Sequence, residues 1–135
     1  MPHFSINLLA LVVATLAKMI LGGLWYSPVL FIKPWLKLAN RTEQEMKAGM
    51  PKALLTDLIG TFIQAFVLLL AVRYAGAQTA LLGATVGFLN WLGFVAVTAF
   101  AITIHEKKPF KLFLLNNAYQ LLSLVIMGAI LAIWR

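Results

Sequence analysis

The chain has 135 residues, of which 62% are hydrophobic and 11% are charged. A small soluble domain leaves much of its surface in contact with water, so this composition excludes an ordinary soluble fold and favours a protein that lies in a lipid bilayer. The net charge of +7 does not indicate nucleic-acid binding, because the basic residues lie in short loops between apolar segments and form no basic face.

Four apolar segments are each long enough to cross the hydrocarbon core of a bilayer as a helix, which takes about 20 residues. They comprise residues 4–26, 53–72, 79–104 and 110–134. The alternating pattern of transmembrane β-strands is absent from these segments. The sequence therefore predicts an all-α integral membrane protein in which residues 1–135 form one domain, a bundle of four transmembrane helices.

The loop between the first two spans, residues 27–52, is the longest segment outside the predicted spans. Residues 29–38 combine apolar and aromatic side chains with Lys33 and Lys37, a pattern typical of a short amphipathic helix at the membrane interface. Lysines in this position face anionic lipid headgroups, which we expect to be partners of the protein at its cytoplasmic loops.

A second short helix is predicted after the interfacial helix. Thr42 and Glu45 have the spacing of a capping box, in which two side chains satisfy the first backbone N–H groups of a helix. We expect this helix to run to Lys47 and to end at Gly49, with Pro51 at the start of the second span.

The distribution of lysine and arginine predicts the orientation of the chain. Eight of these residues lie in or beside the first and third loops, whereas Arg73 and Arg135 lie on the opposite side. Short loops rich in Lys and Arg stay in the cytoplasm. We therefore expect both of these loops to be cytoplasmic and both termini to lie outside the cytoplasm.

Polar side chains recur at helical spacing along each span. The members singled out as a candidate intramembrane site are Lys18, Asp57, Gln64, Asn90, Asn116 and Gln120. Because a polar group that faces lipid lacks partners, we expect them to face the bundle interior. Such residues either line a polar cavity for a solute or hold helices together, and the spacing of Gly83 and Gly87 is typical of close helix packing.

Lys18 and Asp57 are the ionisable residues most clearly inside predicted spans. One hypothesis is that they form an ion pair between the first two spans. The alternative is that Lys18 reaches the headgroups alone and that Asp57 caps the start of the second span. The spacing of the two residues allows either arrangement.

The residues needed for known intramembrane catalysis are missing from the sequence. A serine protease needs a histidine within the membrane and an aspartyl protease needs two acidic residues, whereas Asp57 is the only acidic residue within a span. His105 and Glu106, at the end of the third span, have no third ligand at a spacing suited to a metal. We therefore expect neither an enzyme nor a bound metal or cofactor.

A more specific motif follows the first span. It reads Gly-Gly-Leu-Trp-Tyr-Ser-Pro over residues 22–28 and continues to Trp35. Together with residues 108–114, 117–120 and 125–131, it resembles a bacterial family called domain of unknown function 1761. The resemblance extends over nearly the whole chain. It implies a small four-helix protein of the bacterial inner membrane and supplies no activity.

The same motif has a structural interpretation. Trp25 and Tyr26 fit the belt of aromatic residues at the cytoplasmic interface, and Ser27 and Pro28 follow where the first span ends. The family often has histidine where this chain has Gln120, so we expect no titrating group at that position.

Two functions remain open at this point. The first is transport or channelling of a small solute along the polar residues, with Lys18, Asn90 and Asn116 suited to an anionic or neutral polar solute. The second is a non-catalytic accessory or scaffold protein whose polar residues serve only helix packing. Because four thin helices enclose little space, we expect any cavity to form between the protomers of a homo-oligomer, most simply a symmetric dimer.

Overall fold

A computed structural model describes residues 6–134 of the chain as a set of packed helices. They are α1 (Leu8–Trp25), α2 (Ile32–Ala39), α3 (Glu43–Tyr74), α4 (Ala80–Asn90), a π-helical segment (Trp91–Ala96), α5 (Val97–Glu106) and α6 (Phe110–Ile133). Within this part of the chain, four helices are long and apolar enough to cross a membrane, with Ala80–His105 counted as one. The predicted all-α fold of four spans is confirmed, and α2 is the short helix expected in the first loop.

Side-chain hydrogen bonds mark both ends of α1. The side chain of Asn7 accepts a hydrogen bond of 3.1 Å from the backbone N–H of Ala10. At the other end, the hydroxyl of Ser27 donates to the carbonyl oxygen of Leu24 at 2.6 Å. The indole N–H of Trp25 donates to the carbonyl oxygen of Leu115 at 3.1 Å, which fastens the end of α1 to α6.

The second span is longer than the sequence predicted. Thr42 caps the helix as expected, since its hydroxyl accepts from the backbone N–H of Glu45 at 3.1 Å. The expected break between Gly49 and Pro51 is wrong, because α3 continues unbroken for 32 residues. Proline leaves the carbonyl of Lys47 without its helical partner. All three of Lys47, Gly49 and Pro51 are exposed, so water can bond that carbonyl and the helix persists.

The third span contains a π-helical segment between α4 and α5. The hydroxyl of Thr79 caps α4 by accepting from the backbone N–H of Leu82 at 3.1 Å. Trp91 begins the π-helical segment, and its indole N–H donates to the carbonyl oxygen of Asn117 on α6 at 3.0 Å. The chain therefore stays helical through the whole span, with wider turns near its middle.

Glycines bring α4 and α6 into backbone contact. A methyl group placed on Gly83 would overlap the carbonyl oxygen of Gly128, and one placed on Gly87 would overlap that of Leu124. Any larger residue at these sites would push the helices apart. Gly83 and Gly87 thus serve the close packing that their spacing indicated.

The apolar core occupies one half of the bundle. It is formed by the start of α1, the last turns of α3 and α6, and the turn that follows α3. Its buried members are Ala10, Leu11, Ala14, Ala65, Leu68, Leu69, Val72, Ala77, Leu124, Met127, Leu131 and Ala132. In contrast, most of α3 before Gly60 is exposed. The helices are therefore closely packed near Leu8 and Ile133 and less so toward the end where α2 lies.

We expect Gly87→Ala to lower the free energy of unfolding by about 1–3 kcal/mol, because the added methyl group must displace the backbone of α6. Gly60→Ala is the matched control, since nothing lies within 4 Å of a Cβ at that site. The measurement is chemical unfolding of both variants in detergent, followed by circular dichroism. Equal stability of the two variants would contradict the packing of α4 against α6.

Candidate functional site

Lys18 lies near the middle of α1 and binds two other spanning helices. It is ten residues from Leu8 and seven from Trp25, so about 15 Å and 10 Å along the helix from its two ends. The residue is only 5% exposed. Its ammonium donates to Oε1 of Gln64 on α3 at 2.5 Å and to Oε1 of Gln120 on α6 at 3.0 Å. Three of the four spans thus converge on one cation.

An aromatic ring completes the surroundings of this cation. The Lys18 Nζ lies 5.6 Å from the centroid of the Tyr119 ring, within the range of a cation–π interaction. The Tyr119 hydroxyl in turn donates to the backbone carbonyl of Lys18 at 3.3 Å. A Cβ on Gly22 would lie 2.6 Å from the phenol oxygen, so only glycine leaves room for the ring at that position.

A cavity of about 470 Å³ opens beside Lys18 between α1, α2, α3 and α6. Its polar lining residues are Lys18, Tyr26, Asp57, Thr61, Asn116, Tyr119 and Gln120. Its larger apolar lining residues are Met19, Trp35, Met46, Met50 and Leu54. The cavity lies within one chain, so the expectation that a cavity needs two protomers is wrong. The long α3 and the short α2 form part of the cavity wall. Four helices just long enough to cross the bilayer would not provide this part of the wall.

The side-chain amides of Asn116 and Gln120 have hydrogen-bond donors that no protein acceptor in the described residues uses. An ammonium can only donate, so Gln120 must turn its oxygen toward Lys18. Asn116 uses its oxygen likewise, since Oδ1 accepts from the hydroxyl of Tyr26 at 2.7 Å. Within residues 6–134, the amide nitrogens of Asn116 and Gln120 donate to no protein acceptor, and neither is buried. Both remain available to a bound molecule.

Asp57 lines the same cavity as Lys18 without touching it. In the described part of the chain, the two side chains are not within the 4.0 Å of an ion pair, so the hypothesis of direct pairing does not describe this structure. The alternative for Asp57 is wrong as well, because α3 begins at Glu43 and places Asp57 well inside the helix. Lys18 does not reach toward headgroups alone, since two glutamines hold it.

Asn90 does not join the other candidate residues. Its amide nitrogen donates to the carbonyl oxygen of Val86, one turn back on its own helix, at 2.8 Å. A second, smaller cavity of about 290 Å³ lies between α5 and α6, and Asn116 and Gln120 line it too. These two residues of α6 therefore stand between two cavities, with Thr103 of α5 on the far side.

Sequence reasoning missed several residues that shape the cavity. Tyr26 was assigned only to an interfacial belt, although it follows Lys18 and Gly22 at intervals of four residues on the same helix face. Met46 and Met50 share a face of α3 with Asp57, a relation that is visible only if the helix is continuous. The residue spacing along α1 could therefore have identified Tyr26, and the residue spacing along a continuous α3 could have identified Met46 and Met50.

We expect Lys18→Met and Gln120→Leu to be coupled energetically. Either change leaves a polar group of the site without its partner, and the double variant removes both, so the coupling should be about 1–2 kcal/mol. The measurement is a double-mutant cycle of unfolding free energies in detergent. Lys52→Met, which replaces an exposed lysine at the start of the span, is the control and should show no coupling with Gln120→Leu. Additive effects of Lys18→Met and Gln120→Leu would disprove the contact.

Comparison with known proteins gives one result for this chain. Residues 9–132 match the model of a family described as Protein of unknown function (DUF1761). Neither the curated proteins nor the solved structures include a match. The matched range begins within the first turn of α1 and ends within the last turn of α6, so it includes all four spans and the cavity. The chain therefore belongs to the family of unknown function DUF1761, as its sequence motif indicated.

Proposed function

We propose that this multi-pass membrane protein binds a small anionic or polar solute beside Lys18 and carries it across the membrane. The observation that supports this most directly is a buried cation, at the middle of a spanning helix, that lines a cavity of about 470 Å³. An ionisable side chain at such a depth is costly and is typically kept for a ligand or an ion. The amide nitrogens of Asn116 and Gln120 add donors that suit an anion or a polar solute.

The uneven packing of the bundle supports a transport cycle. Carriers alternate between states that open the site to one side of the membrane and then to the other. Here the helices are packed by the apolar core on one side of Lys18, while the cavity lies on the other. A carrier that is open to one side only would have such an arrangement, which supports the proposal.

We propose that the cavity opens to the cytoplasm of a bacterium, with both termini outside. The charge distribution supports this orientation, since eight lysine and arginine residues lie in or beside the two loops at the cavity end of the bundle. The same basic residues would attract anionic headgroups.

The second candidate, an accessory or scaffold protein, has support of its own. Several polar side chains bond to their own helix backbone four residues back and need no solute. They are Thr15, Thr85, Asn90, Thr103, Asn117 and Ser123. A homodimer, most simply a symmetric one, is compatible with both candidates.

Thiol labelling tests whether the cavity holds water. The chain has no cysteine. Asn116→Cys would place a thiol in the cavity wall at a partly exposed residue, and Ile63→Cys would place one on the exposed apolar side of α3. We expect a membrane-impermeant thiol reagent to label Asn116→Cys from the cytoplasmic side only, and not to label Ile63→Cys. If neither position is labelled from either side, the interior is dry and the scaffold function is favoured.

Flux measurements test transport itself. We expect proteoliposomes to take up at least one of radiolabelled phosphate, succinate and glutamine faster than empty liposomes. Lys18→Gln keeps hydrogen bonding to the two glutamines but removes the charge, and should lower uptake of an anion at least tenfold. Lys52→Gln, at an exposed site, should leave it unchanged. Uptake equal to that of empty liposomes for all three solutes would contradict the proposal.

A further inference from the structure

Two opposite charges face the cavity without neutralising each other. Lys18 comes from α1 and Asp57 from α3, and both line its wall. Among the described residues, Asp57 accepts no hydrogen bond and forms no ion pair. Two opposite charges that line one cavity without touching can each bind the opposite charge of a ligand placed between them.

The Lys18 end of the cavity is suited to a carboxylate or phosphate. Two N–H groups of the ammonium are used by Gln64 and Gln120, and an ammonium has a third. Asn116 and Gln120, whose amide nitrogens have no protein acceptor among the described residues, line this cavity as well as the smaller one. An anionic oxygen group placed there would accept from one charged and two neutral donors, the kind of charge-assisted bonding that binds anions firmly.

The Asp57 end is suited to an ammonium group. Tyr26 and Trp35 line the same cavity as this carboxylate, and their rings meet edge to face with centroids 6.0 Å apart. Aromatic rings in a cavity that also holds a carboxylate favour an organic cation. A purely anionic ligand would be repelled by Asp57, and a purely cationic one by Lys18.

We propose, on the basis of the proposed function, that the solute is a small zwitterion whose anionic group binds Lys18 and whose ammonium binds Asp57. Gln64, which contacts Lys18, is seven residues from Asp57, about 10 Å along α3. Two hydrogen bonds of about 2.8 Å and a short ligand span such a distance. Met19, Met46 and Met50 line the cavity and provide a flexible apolar wall for a hydrocarbon side chain.

This chemistry has two sources, a free amino acid and the headgroup of a zwitterionic phospholipid. The test uses the full chain in nanodiscs and isothermal titration calorimetry. The probes are leucine, N-acetylleucine, which keeps only the negative charge, and leucinamide, which keeps only the positive charge. We expect leucine to bind at least tenfold more tightly than either analogue in nanodiscs of phosphatidylglycerol. If leucine binds more weakly when phosphatidylethanolamine is added, the lipid headgroup competes for the site.

Two variants separate this inference from the proposed function. Asp57→Asn, which preserves the shape of the side chain, should weaken leucine binding at least tenfold and leave N-acetylleucine binding equal or tighter. Lys18→Gln should weaken both. Lys52→Gln should change neither, and gel filtration should show all variants to be monodisperse.

The outcomes against the inference are distinct. N-acetylleucine binding as tightly as leucine, with no effect of Asp57→Asn, would overturn the zwitterion and leave anion binding at Lys18 intact. Leucine binding that is unaffected by both variants would place its site elsewhere and overturn the inference. Absence of binding by all three probes would overturn it as well. Transport of phosphate or succinate in the flux assay would then still support the proposed function.

Discussion

The bonds from the Lys18 ammonium to Gln64 and Gln120 are the interaction on which the arrangement of the spans depends. Lys18 is almost fully buried, so the cation needs partners within the protein. These two bonds join α3 and α6 to α1. Gly22 leaves room for Tyr119 beside the cation. One charge thus contacts side chains from three helices.

Packing and function are divided between the two halves of the bundle. Near Leu8 and Ile133, aliphatic residues and the contacts of Gly83 and Gly87 with α6 bring the helices together. On the other side of Lys18, larger aromatic and methionine side chains line the cavity. Stability of the fold therefore rests mainly on residues that do not line the larger cavity.

Much of the fold could be predicted from sequence, because hydrophobic length and helix caps are local signals. The four spans, the cap at Thr42 and the close packing at Gly83 and Gly87 are of this kind. The continuity of α3 was not predicted, since Gly49 and Pro51 end helices in most settings and only their exposure allows the helix to pass.

The candidate site was predictable in its members and not in its arrangement. Lys18, Gln64 and Gln120 could be singled out as polar residues within spans, but periodicity along one helix does not say which residues of two helices meet. The separation of Lys18 from Asp57 depends on the relative heights of α1 and α3. Those heights result from packing between helices, which a single sequence does not encode locally. The role of Tyr26 was also not predictable, since a tyrosine at the end of a span has the same place in the sequence whether it lies at the interface or lines a cavity.

The π-helical segment determines how the third span faces its neighbour. In an uninterrupted α-helix, Ala99 would point about 120° away from the direction of Gly87. The segment Trp91–Ala96 accommodates about one extra residue, which corresponds to about 100° of rotation. Gly87 and Ala99 therefore both face α6, the first in the packed half and the second in the wall of the smaller cavity. Loss of a single residue from this segment would keep the span intact and turn its last three turns toward lipid.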